Sequence, residues 1–316
     1  MASEISQDFS PFLRIYKDGR IERLAGTATV PASLDDETGV ASKDIQASFD
    51  PAFSARLYLP AARLDGEEKK KKLPLLVYFH GGGFCIETAS SPTYHNYLNA
   101  VASKAGVVVV SIDYRRAPED PLPAAYDDCW SVLKCVASHA TGKGPEEWIN
   151  EHADLKRVFL AGDSAGANIA HHMGLRIGSD KLDGLAVVGI VLAHPFFWGS
   201  EPVGTETTDA GRRAWTVKFM EMVCPTFGGA DDPMINPGAD PRLGGLGCEK
   251  VLVFVAEKDG LRSRGWYYEE VLKKSGWGGR VEVVETKGED HVFHLMNPSC
   301  ENAVDLMKRL VKFLNE

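Results

Sequence analysis

The sequence predicts an α/β fold in which helices flank a mostly parallel central sheet. Three short runs of nearly continuous apolar residues, at positions 73–79, 107–112 and 158–161, have the composition of strands buried on both faces. Helical patterns separate these runs; in residues 126–137, for example, apolar side chains recur at every third or fourth position. Strand and helix therefore alternate, which is typical of a parallel sheet with helical crossovers.

Antiparallel strands are expected before this alternation begins. The pair Asp18-Gly19 lies between two short apolar stretches within residues 12–24, and this pattern favours a β-hairpin. Residues 55–59 alternate apolar and polar side chains, as a half-buried strand does. The charged residues 65–72 are expected to form a solvent-exposed turn, because their four lysines have no neighbouring aromatic residues that stack on a nucleic-acid base.

The alternation of strand and helix resumes near residue 185. The expected elements are three strands and a C-terminal amphipathic helix, at residues 185–193, 251–255, 281–284 and 302–315. Residues 195–247 interrupt the pattern, since they are rich in Gly, Pro, Asp and aromatic residues and contain one helical stretch, 211–223. Insertions of this length usually carry function. We therefore predict one domain over residues 1–316, with a lid formed by residues 1–44 and 195–247.

Composition narrows the classes of function. A formal net charge of −9 argues against a nucleic-acid partner, because phosphate binding requires a surplus of Lys and Arg on one face. The six cysteines include no Cys-x-x-Cys pair, so neither a zinc site nor a disulfide framework is expected. The first ten residues lack the basic and apolar regions of a secretory signal, and no stretch is long and apolar enough to span a bilayer. We therefore expect a cytoplasmic protein without membrane association, either a monomer or a homodimer.

The segment Gly162-Asp-Ser-Ala-Gly166 matches the pattern Gly-x-Ser-x-Gly, which by itself occurs too often by chance to be informative. Its context is specific, since it follows a predicted strand and precedes a predicted helix, as a nucleophile elbow does. Small residues at positions 162 and 166 let the chain turn sharply where strand and helix pass close together. Ser164 is therefore the predicted nucleophile of an α/β-hydrolase fold.

A serine nucleophile requires a base that takes its proton and a carboxylate that orients the base. Asp259 and His291 each follow a predicted strand, so both are expected on loops at the same end of the parallel sheet as Ser164. The order Ser, Asp, His along the chain is the one typical of this fold. Alternatives remain for both positions: His294 for the base, and Glu257 or Asp290 for the acid.

The segment His80-Gly-Gly-Gly83 follows the first buried strand and predicts an oxyanion hole. Hydrolysis through a tetrahedral intermediate requires N–H donors aimed at the developing charge, each contributing about 3 kcal/mol. Because glycines carry no side chain, the N–H groups of Gly82 and Gly83 can approach a substrate in the loop that begins at His80 and Gly81. The N–H of Ala165, beside the nucleophile, is the expected third donor.

At these residues the chain resembles the plant carboxylesterases of the hormone-sensitive-lipase group within the α/β hydrolases. The similarity also covers four further segments: Asp113-Tyr-Arg-Arg-Ala-Pro-Glu119, Pro123-Ala-Ala-Tyr-Asp-Asp128, Asp232-Pro-Met-Ile-Asn-Pro237 and Gly288-Glu-Asp-His-Val-Phe-His294. The resemblance implies hydrolysis of small carboxylic esters, such as plant specialised metabolites, through an acyl-serine intermediate. It implies Ser164, Asp259 and His291 as the catalytic triad, with no metal and no organic cofactor.

The same family leaves two other activities open. It includes 2-hydroxyisoflavanone dehydratases and alkaloid cyclases. If this chain had such an activity, its oxyanion loop would stabilise an enolate and His291 would move a proton without acylation of Ser164. It also includes gibberellin receptors that bind without catalysis; receptor-like members lack the histidine that this chain keeps at position 291. The serine at position 164 favours acyl transfer over elimination.

Aromatic residues are candidates for the substrate pocket. Phe84 lies beside the predicted oxyanion loop, and Phe197, Trp215 and Phe219 belong to the predicted lid, together with Phe196 and Trp198. Binding pockets are typically apolar with few polar anchors, so these side chains suit the lining of a pocket. Packing within the lid is an equally valid role for them.

Overall fold

The computed structural model describes residues 4–49, 52–65 and 71–316, and most of the predicted charged turn, residues 66–70, lies outside the described residues. A central β-sheet has helices packed on both faces, which confirms the predicted fold class. Within the described ranges, each helix is too short or too polar to cross a lipid bilayer.

Three short antiparallel strands at the beginning of the chain form a sheet of their own, in the order β1 (Ile5–Phe9), β2 (Leu13–Tyr16) and β3 (Ile21–Arg23). The turn between β2 and β3 contains Asp18 and Gly19, and Gly19 has a φ of +85°. Glycine adopts this conformation without a steric penalty, so the structure confirms the hairpin that the sequence predicts.

The central sheet contains nine strands among the described residues. In chain order they are β4 (Leu34–Asp35), β5 (Val40–Phe49), β6 (Ala52–Pro60), β7 (Leu73–Phe79), β8 (Val108–Asp113), β9 (Ala153–Asp163), β10 (Val187–Ala193), β11 (Lys250–Ala256) and β12 (Arg280–Thr286). Their spatial order is β12-β11-β10-β9-β7-β8-β6-β5-β4. The strands from β12 to β8 run parallel, whereas β6, β5 and β4 join antiparallel at one edge.

Nine α-helices are present among the described residues. They are α1 (Ala62–Asp65), α2 (Pro92–Ala105), α3 (Ala124–Ala137), α4 (Glu147–His152), α5 (Ala165–Ser179), α6 (Ala210–Val223), α7 (Arg262–Lys274), α8 (Phe293–Met296) and α9 (Glu301–Asn315). Of these, α2 to α7 lie in the connections between the parallel strands. The predicted helix of the insertion corresponds to α6, and the predicted C-terminal helix corresponds to α9.

The apolar runs form strands because both faces of the sheet are covered. Along β8, Val108 and Val110 belong to the core on one face, whereas Val109 belongs to the core on the other, since successive side chains of a strand alternate. The core around Val108 includes residues of α3, α5 and α7, and the core around Val109 includes residues of α2 and α9. A strand between two such layers needs apolar residues at every position.

The two predicted lid segments contact each other. Phe12, in the N-terminal segment, lies 5.1 Å from Phe219 of α6 between ring centroids. Arg23 attaches the same segment to the loop between β8 and α3 through two hydrogen bonds of 2.6 and 2.7 Å to Glu119. Residues 34–44 pair at the edge of the central sheet. The N-terminal sheet and the insertion thus pack together over one end of the central sheet.

Candidate active site

The predicted nucleophile lies at a sharp turn between β9 and α5. Ser164 has φ +50° and ψ −117°, a conformation that residues with a side chain rarely adopt. A Cβ atom on Gly162 would lie 2.4 Å from the backbone of Gly166, and a Cβ on Gly166 would lie 2.0 Å from the Phe79 carbonyl oxygen. The turn therefore requires glycine at both positions, for the steric reason that the sequence pattern suggests.

The backbone around Ser164 is attached to the neighbouring strand. The N–H of Ser164 donates to the carbonyl of Ala193, the last residue of β10, over 2.9 Å. The Ser164 carbonyl in turn accepts from the N–H of Phe196 over 3.0 Å. These bonds hold the strained turn in place at the C-terminal ends of β9 and β10.

Asp259 and His291 are in direct contact, although 32 residues separate them in the chain. The His291 Nδ1–H donates to Asp259 Oδ2 over 2.8 Å, and the other carboxylate oxygen of Asp259 accepts the Leu261 N–H over 2.9 Å. Asp259 is buried, whereas the side chain of His291 is 32% exposed. The carboxylate is therefore fixed by the protein, and the imidazole remains accessible on the side away from it.

This contact changes the acidity of both groups. Burial by itself raises the pKa of Asp259, but the hydrogen bond and charge of His291 bring it below the ordinary value. Burial by itself lowers the pKa of His291, but the hydrogen bond and charge of Asp259, together with the charge of Asp163, raise it above the ordinary value. His291 is thus a stronger base than a free histidine, which suits the removal of a proton from a hydroxyl.

The other candidates for base and acid, His294, Glu257 and Asp290, do not form a histidine–carboxylate pair among the residues that the structure describes. His294 is buried, and burial lowers its pKa to about 3, so it is a weak base. Glu257 accepts the Gly288 N–H over 2.8 Å, and Asp290 accepts the N–H of His291 over 2.7 Å instead of contacting its ring. Among these candidates, the structure brings Asp259 and His291 together as a hydrogen-bonded pair.

The glycine loop after β7 has the backbone conformation that its composition suggests. Gly82 and Gly83 have φ values of +99° and +60°. A Cβ on Gly82 would lie 2.4 Å from the Ile86 carbonyl oxygen, and a Cβ on Gly81 would lie 2.3 Å from Asp163 Oδ2. The loop therefore packs against the residue that precedes the predicted nucleophile.

Asp163 supports this loop, which the sequence reasoning missed. Its Oδ1 accepts the Gly81 N–H over 3.1 Å and the Tyr78 hydroxyl over 2.9 Å, and its Oδ2 accepts the Tyr94 hydroxyl over 2.9 Å. Burial raises the pKa of Asp163 to about 6, and the hydrogen bonds from Tyr94 and Tyr78 oppose that rise. The sequence did contain a signal for this role: Asp163 is a carboxylate at the end of an apolar strand, and a buried carboxylate requires hydrogen-bond donors.

His80 and Tyr114 support the loop from the other side. Their rings stack with centroids 4.1 Å apart and an interplanar angle of 9°. The Tyr114 hydroxyl donates to the His80 carbonyl over 2.7 Å, and the His80 Nδ1–H donates to the Gly81 carbonyl over 2.8 Å. His80 is buried, and burial lowers its pKa to about 3, so this histidine stays neutral and acts as part of the scaffold.

Aromatic side chains of both predicted lid segments cover the glycine loop. A Cβ on Gly83 would lie 2.9 Å from Phe219 and 3.3 Å from Phe12. The rings of Phe219 and Trp215 stack with centroids 5.2 Å apart, and Trp215 is 37% exposed. Of the predicted pocket residues, Phe219 therefore lies beside the glycine loop and is only 3% exposed, whereas Trp215 reaches this region by stacking on Phe219.

The other two predicted pocket residues are fully buried. Phe84 makes edge contacts with the rings of Tyr126 and Phe196, at centroid distances of 6.3 and 6.2 Å. Phe197 stacks on Tyr268 of α7 with a centroid distance of 5.0 Å. These contacts attach the beginning of the insertion to the core of the domain.

One group of side chains has the composition of a metal site. Ligand-type atoms of His194, Asp259 and His291 lie within 4.8 Å of one another. Asp259 is already bonded to His291, and the Nδ1 of His194 accepts the N–H of Val292 over 2.9 Å. Among the described residues, the hydrogen bonds of this group therefore join Asp259 to His291, and His194 to the backbone that follows His291.

Comparisons with known proteins show which proteins this chain is similar to. A family model described as alpha/beta hydrolase fold matches residues 76–295. Probable carboxylesterase 13 of Arabidopsis thaliana is 53% identical, over 99% of this chain and 99% of its own length. The 2-hydroxyisoflavanone dehydratase of Glycyrrhiza echinata is 48% identical, over 99% and 97% of the two chains. The hyperthermophilic esterase from Pyrobaculum calidifontis has a similar structure, with a TM-score of 0.69, 29% identity and coverage of 86% and 82%.

Proposed function

Since the chain belongs to the α/β-hydrolase family and is a serine carboxylesterase by its similarity to probable carboxylesterases of Arabidopsis thaliana, we propose that Ser164, His291 and Asp259 form its catalytic triad. The observation that carries this proposal is the 2.8 Å hydrogen bond between His291 and Asp259. The bond fixes the ring and strengthens the base, at the same end of the sheet as the strained turn of Ser164.

The proposed mechanism has two stages. In the first, Ser164 Oγ attacks the ester carbonyl while His291 Nε2 takes its proton, and the carbonyl oxygen becomes an oxyanion. The tetrahedral intermediate then collapses, and the proton passes from His291 to the leaving alcohol. In the second stage, His291 removes a proton from water, which attacks the acyl-serine; the second tetrahedral intermediate then collapses, the acid leaves, and the proton passes from His291 to Ser164 Oγ. Each proton that His291 accepts makes it a cation, which the Asp259 carboxylate stabilises.

The oxyanion hole consists, in this proposal, of the N–H groups of Gly82, Gly83 and Ala165. The support for this assignment is the positive φ of both glycines and the attachment of their loop, through the Gly81 N–H, to Asp163, the residue directly before Ser164. Each donor contributes about 3 kcal/mol to the stabilisation of the transition state.

The substrates are small esters, and we propose that their apolar or aromatic part binds against the lid. Phe219 lies beside Gly83 and stacks with the partly exposed Trp215, so a group attached to the ester carbonyl would approach this aromatic stack on the side of Trp215. Plant specialised metabolites with an acylated phenol or alcohol have this chemistry. The partial exposure of Trp215 leaves room for such a group next to the aromatic stack.

Elimination is a second candidate activity, because a dehydratase of Glycyrrhiza echinata is 48% identical over nearly the whole chain. In that case, His291 would remove a proton next to a carbonyl, and the oxyanion loop would stabilise the resulting enolate until water leaves. No acyl-serine forms on this route. The two activities therefore differ in their requirement for Ser164.

The test combines covalent labelling with ester turnover. A fluorophosphonate probe is expected to label Ser164, as peptide mass spectrometry would detect. Replacement Ser164→Ala should lower kcat on p-nitrophenyl butyrate by about 10⁴-fold or more, since the nucleophile is lost. The matched control is Ser138→Ala, an exposed serine that bonds only the Cys135 carbonyl, which should retain full turnover. Labelling of another residue, or full ester turnover by Ser164→Ala, would refute the proposal.

The same variant separates hydrolysis from elimination. Wild type and Ser164→Ala are incubated with phenolic metabolites, and products are identified by mass spectrometry. A product lighter than its substrate by one water, formed equally by both proteins, would assign elimination as the main activity. Free acid and alcohol, formed only by the wild type, would support the esterase.

We further propose that the enzyme works in the cytoplasm. All six cysteines are free thiols in the structure, which is typical of proteins in reducing compartments. A fluorescent fusion of the native full-length protein in plant cells is the direct measurement. Accumulation of the fusion in chloroplasts or mitochondria would contradict this proposal.

A further inference from the structure

His194 connects the segments that carry the proposed catalytic residues. It directly follows Ala193, whose carbonyl accepts the Ser164 N–H, and its own N–H donates to the Phe254 carbonyl in β11 over 2.8 Å. Its φ of +48° is uncommon for a residue with a side chain. The backbone of His194 is thus held in an unfavourable conformation between the nucleophile turn and the strand that leads to Asp259.

The imidazole of His194 holds the loop of the proposed base. Its Nδ1 accepts the N–H of Val292 over 2.9 Å, and Val292 is the residue immediately after His291. Val292 also has a positive φ, +49°, in a β-branched residue that rarely adopts it. His194 is 1% exposed, so water cannot readily replace this acceptor. The strained backbone beside His291 therefore depends on the hydrogen bond from Val292 to His194.

The surroundings of His194 keep it neutral. Burial, with smaller contributions from the nearby His294 and His291, lowers its pKa well below the ordinary value, and the charge of Asp259 opposes this only weakly. A neutral ring that accepts at Nδ1 carries its proton on Nε2. The uncharged ring keeps the lone pair of Nδ1 as the acceptor for the Val292 N–H.

We propose that His194 is a positioning residue, whose Nδ1 holds the Val292 N–H and so fixes the imidazole of His291 between Asp259 and Ser164. This inference rests on the proposed function, since it takes His291 as the base. Without the acceptor, the buried N–H of Val292 is left unpaired, and the His291 loop can relax from its strained conformation. A displacement of about 1 Å in a catalytic group lowers the rate by about 100-fold.

The test uses two substitutions at the same position. Replacement His194→Phe keeps a ring and removes the acceptor, so kcat on p-nitrophenyl butyrate should fall by about 30- to 100-fold, with KM changed by less than about threefold. Replacement His194→Asn supplies a carbonyl oxygen near the position of Nδ1 and tolerates the positive φ. It should retain kcat within about fivefold of the wild type.

A matched control separates the hydrogen bond from the packing of the ring. His294 is a buried neighbour of His194, at a centroid distance of 5.4 Å, and its ring nitrogens have no hydrogen-bond partner among the described residues. Replacement His294→Phe, the same change in the same region, should leave kcat within about threefold of the wild type. Thermal unfolding of all three variants shows whether each one is folded at the assay temperature.

The pH profile distinguishes positioning from a purely structural role. The acid limb of kcat/KM reports the pKa of His291, which Asp259, Asp163 and Asp290 raise. In His194→Phe the contact of His291 with Asp259 loosens, so the acid limb should move to lower pH, whereas in His194→Asn it should stay in place. Loss of stability alone would reduce the folded fraction without moving the acid limb.

Specific outcomes would overturn the inference. One is that His194→Phe keeps more than half of the wild-type kcat and has its acid limb at the wild-type pH. The other is that His194→Asn loses as much kcat as His194→Phe does. Wild-type labelling by the fluorophosphonate keeps this test separate from that of the proposed function. If the wild type is labelled at Ser164 and hydrolyses the ester while His194→Phe is normal, only the inference on His194 fails. If the wild type is not labelled at Ser164, the proposed triad fails first, and His194 has no base to position.

Discussion

Replacement Asp163→Asn is expected to change the stability of the enzyme in a pH-dependent way. Asp163 is 2% exposed and accepts three hydrogen bonds, from the Gly81 N–H and the hydroxyls of Tyr78 and Tyr94. Burial of the carboxylate raises its pKa from 3.8 to about 6, since the three donors compensate only part of the lost hydration. The folded protein therefore binds a proton at Asp163 more tightly than the unfolded chain does.

The sign and size of the effect follow from this difference. Because the folded pKa is raised, the contribution of Asp163 to stability is fully present below pH 3.8 and is lost as the pH rises through about 6. Between about pH 4.5 and about pH 7.5, the loss in the free energy of unfolding is about 2 kcal/mol. An asparagine at position 163 has no ionised form, so the variant lacks this loss.

Other groups titrate in the same range and must be separated from Asp163. Burial lowers the pKa of both His80 and His294 to about 3, so their contribution to stability is present above pH 6.5 and is lost as the pH falls. Both histidines are present in the wild type and in Asp163→Asn. Their effect therefore cancels in the difference between the two proteins, and that difference reports Asp163 together with its electrostatic coupling to His291.

The assay is urea unfolding of both proteins at about pH 4.5 and about pH 7.5, with the free energy of unfolding obtained by linear extrapolation. The variant should gain about 2 kcal/mol on the wild type between the two pH values. Replacement Tyr94→Phe removes a donor that lowers the pKa of Asp163, so it should enlarge the pH-dependent loss. A difference between wild type and Asp163→Asn that stays the same at both pH values would refute the reasoning.

Two further predictions concern packing and the attachment of the insertion. Replacement Gly166→Ala should destabilise the enzyme by about 3 kcal/mol and abolish ester turnover, because the new Cβ would lie 2.0 Å from a backbone oxygen. The control is Gly278→Ala, where the new Cβ has open space around it. In urea unfolding, the stability of this control should be within about 0.5 kcal/mol of the wild type. Replacement Glu206→Gln should lower the free energy of unfolding by about 3 kcal/mol, because it leaves the buried Arg264 without its charged partner. Replacement Glu270→Gln, in an exposed ion pair, should lower it by less than about 1 kcal/mol. Equal losses for the two variants would contradict the role of burial.

Several elements of the site were predictable because their requirements are local. The nucleophile turn excludes side chains at positions 162 and 166, and the loop after β7 requires glycine at 81 and 82 for the same steric reason, so both appear in the sequence as glycine motifs. The parallel strands also appear directly, since coverage of both faces demands an apolar residue at nearly every position of β7 and β11. Strand ends were less exact: β9 extends over Ala153–Asp163, beyond the apolar run 158–161 that predicted it.

The environment of each polar group was not predictable, because it depends on residues distant in the chain. The bond from Tyr94 to Asp163 spans 69 residues, and the bond from Val292 to His194 spans 98. The sequence pattern assigned no role to His194, and it placed Phe197 among the candidate pocket residues although the ring packs on Tyr268. The residue type alone does not specify whether a histidine or phenylalanine is buried, exposed or hydrogen-bonded.

The sequence by itself determined the fold class and the glycine motifs, because both are imposed on neighbouring residues by sterics or by burial, and it led to the prediction of the nucleophile, acid and base. The tertiary structure alone decided which histidine meets Asp259, which carboxylate supports the glycine loop, and which lid aromatics lie over Gly83. Hydrogen bonds and ring contacts act over only a few ångströms. They are therefore decided by which segments the folded sheet brings together, and adjacency in the chain carries little information about them.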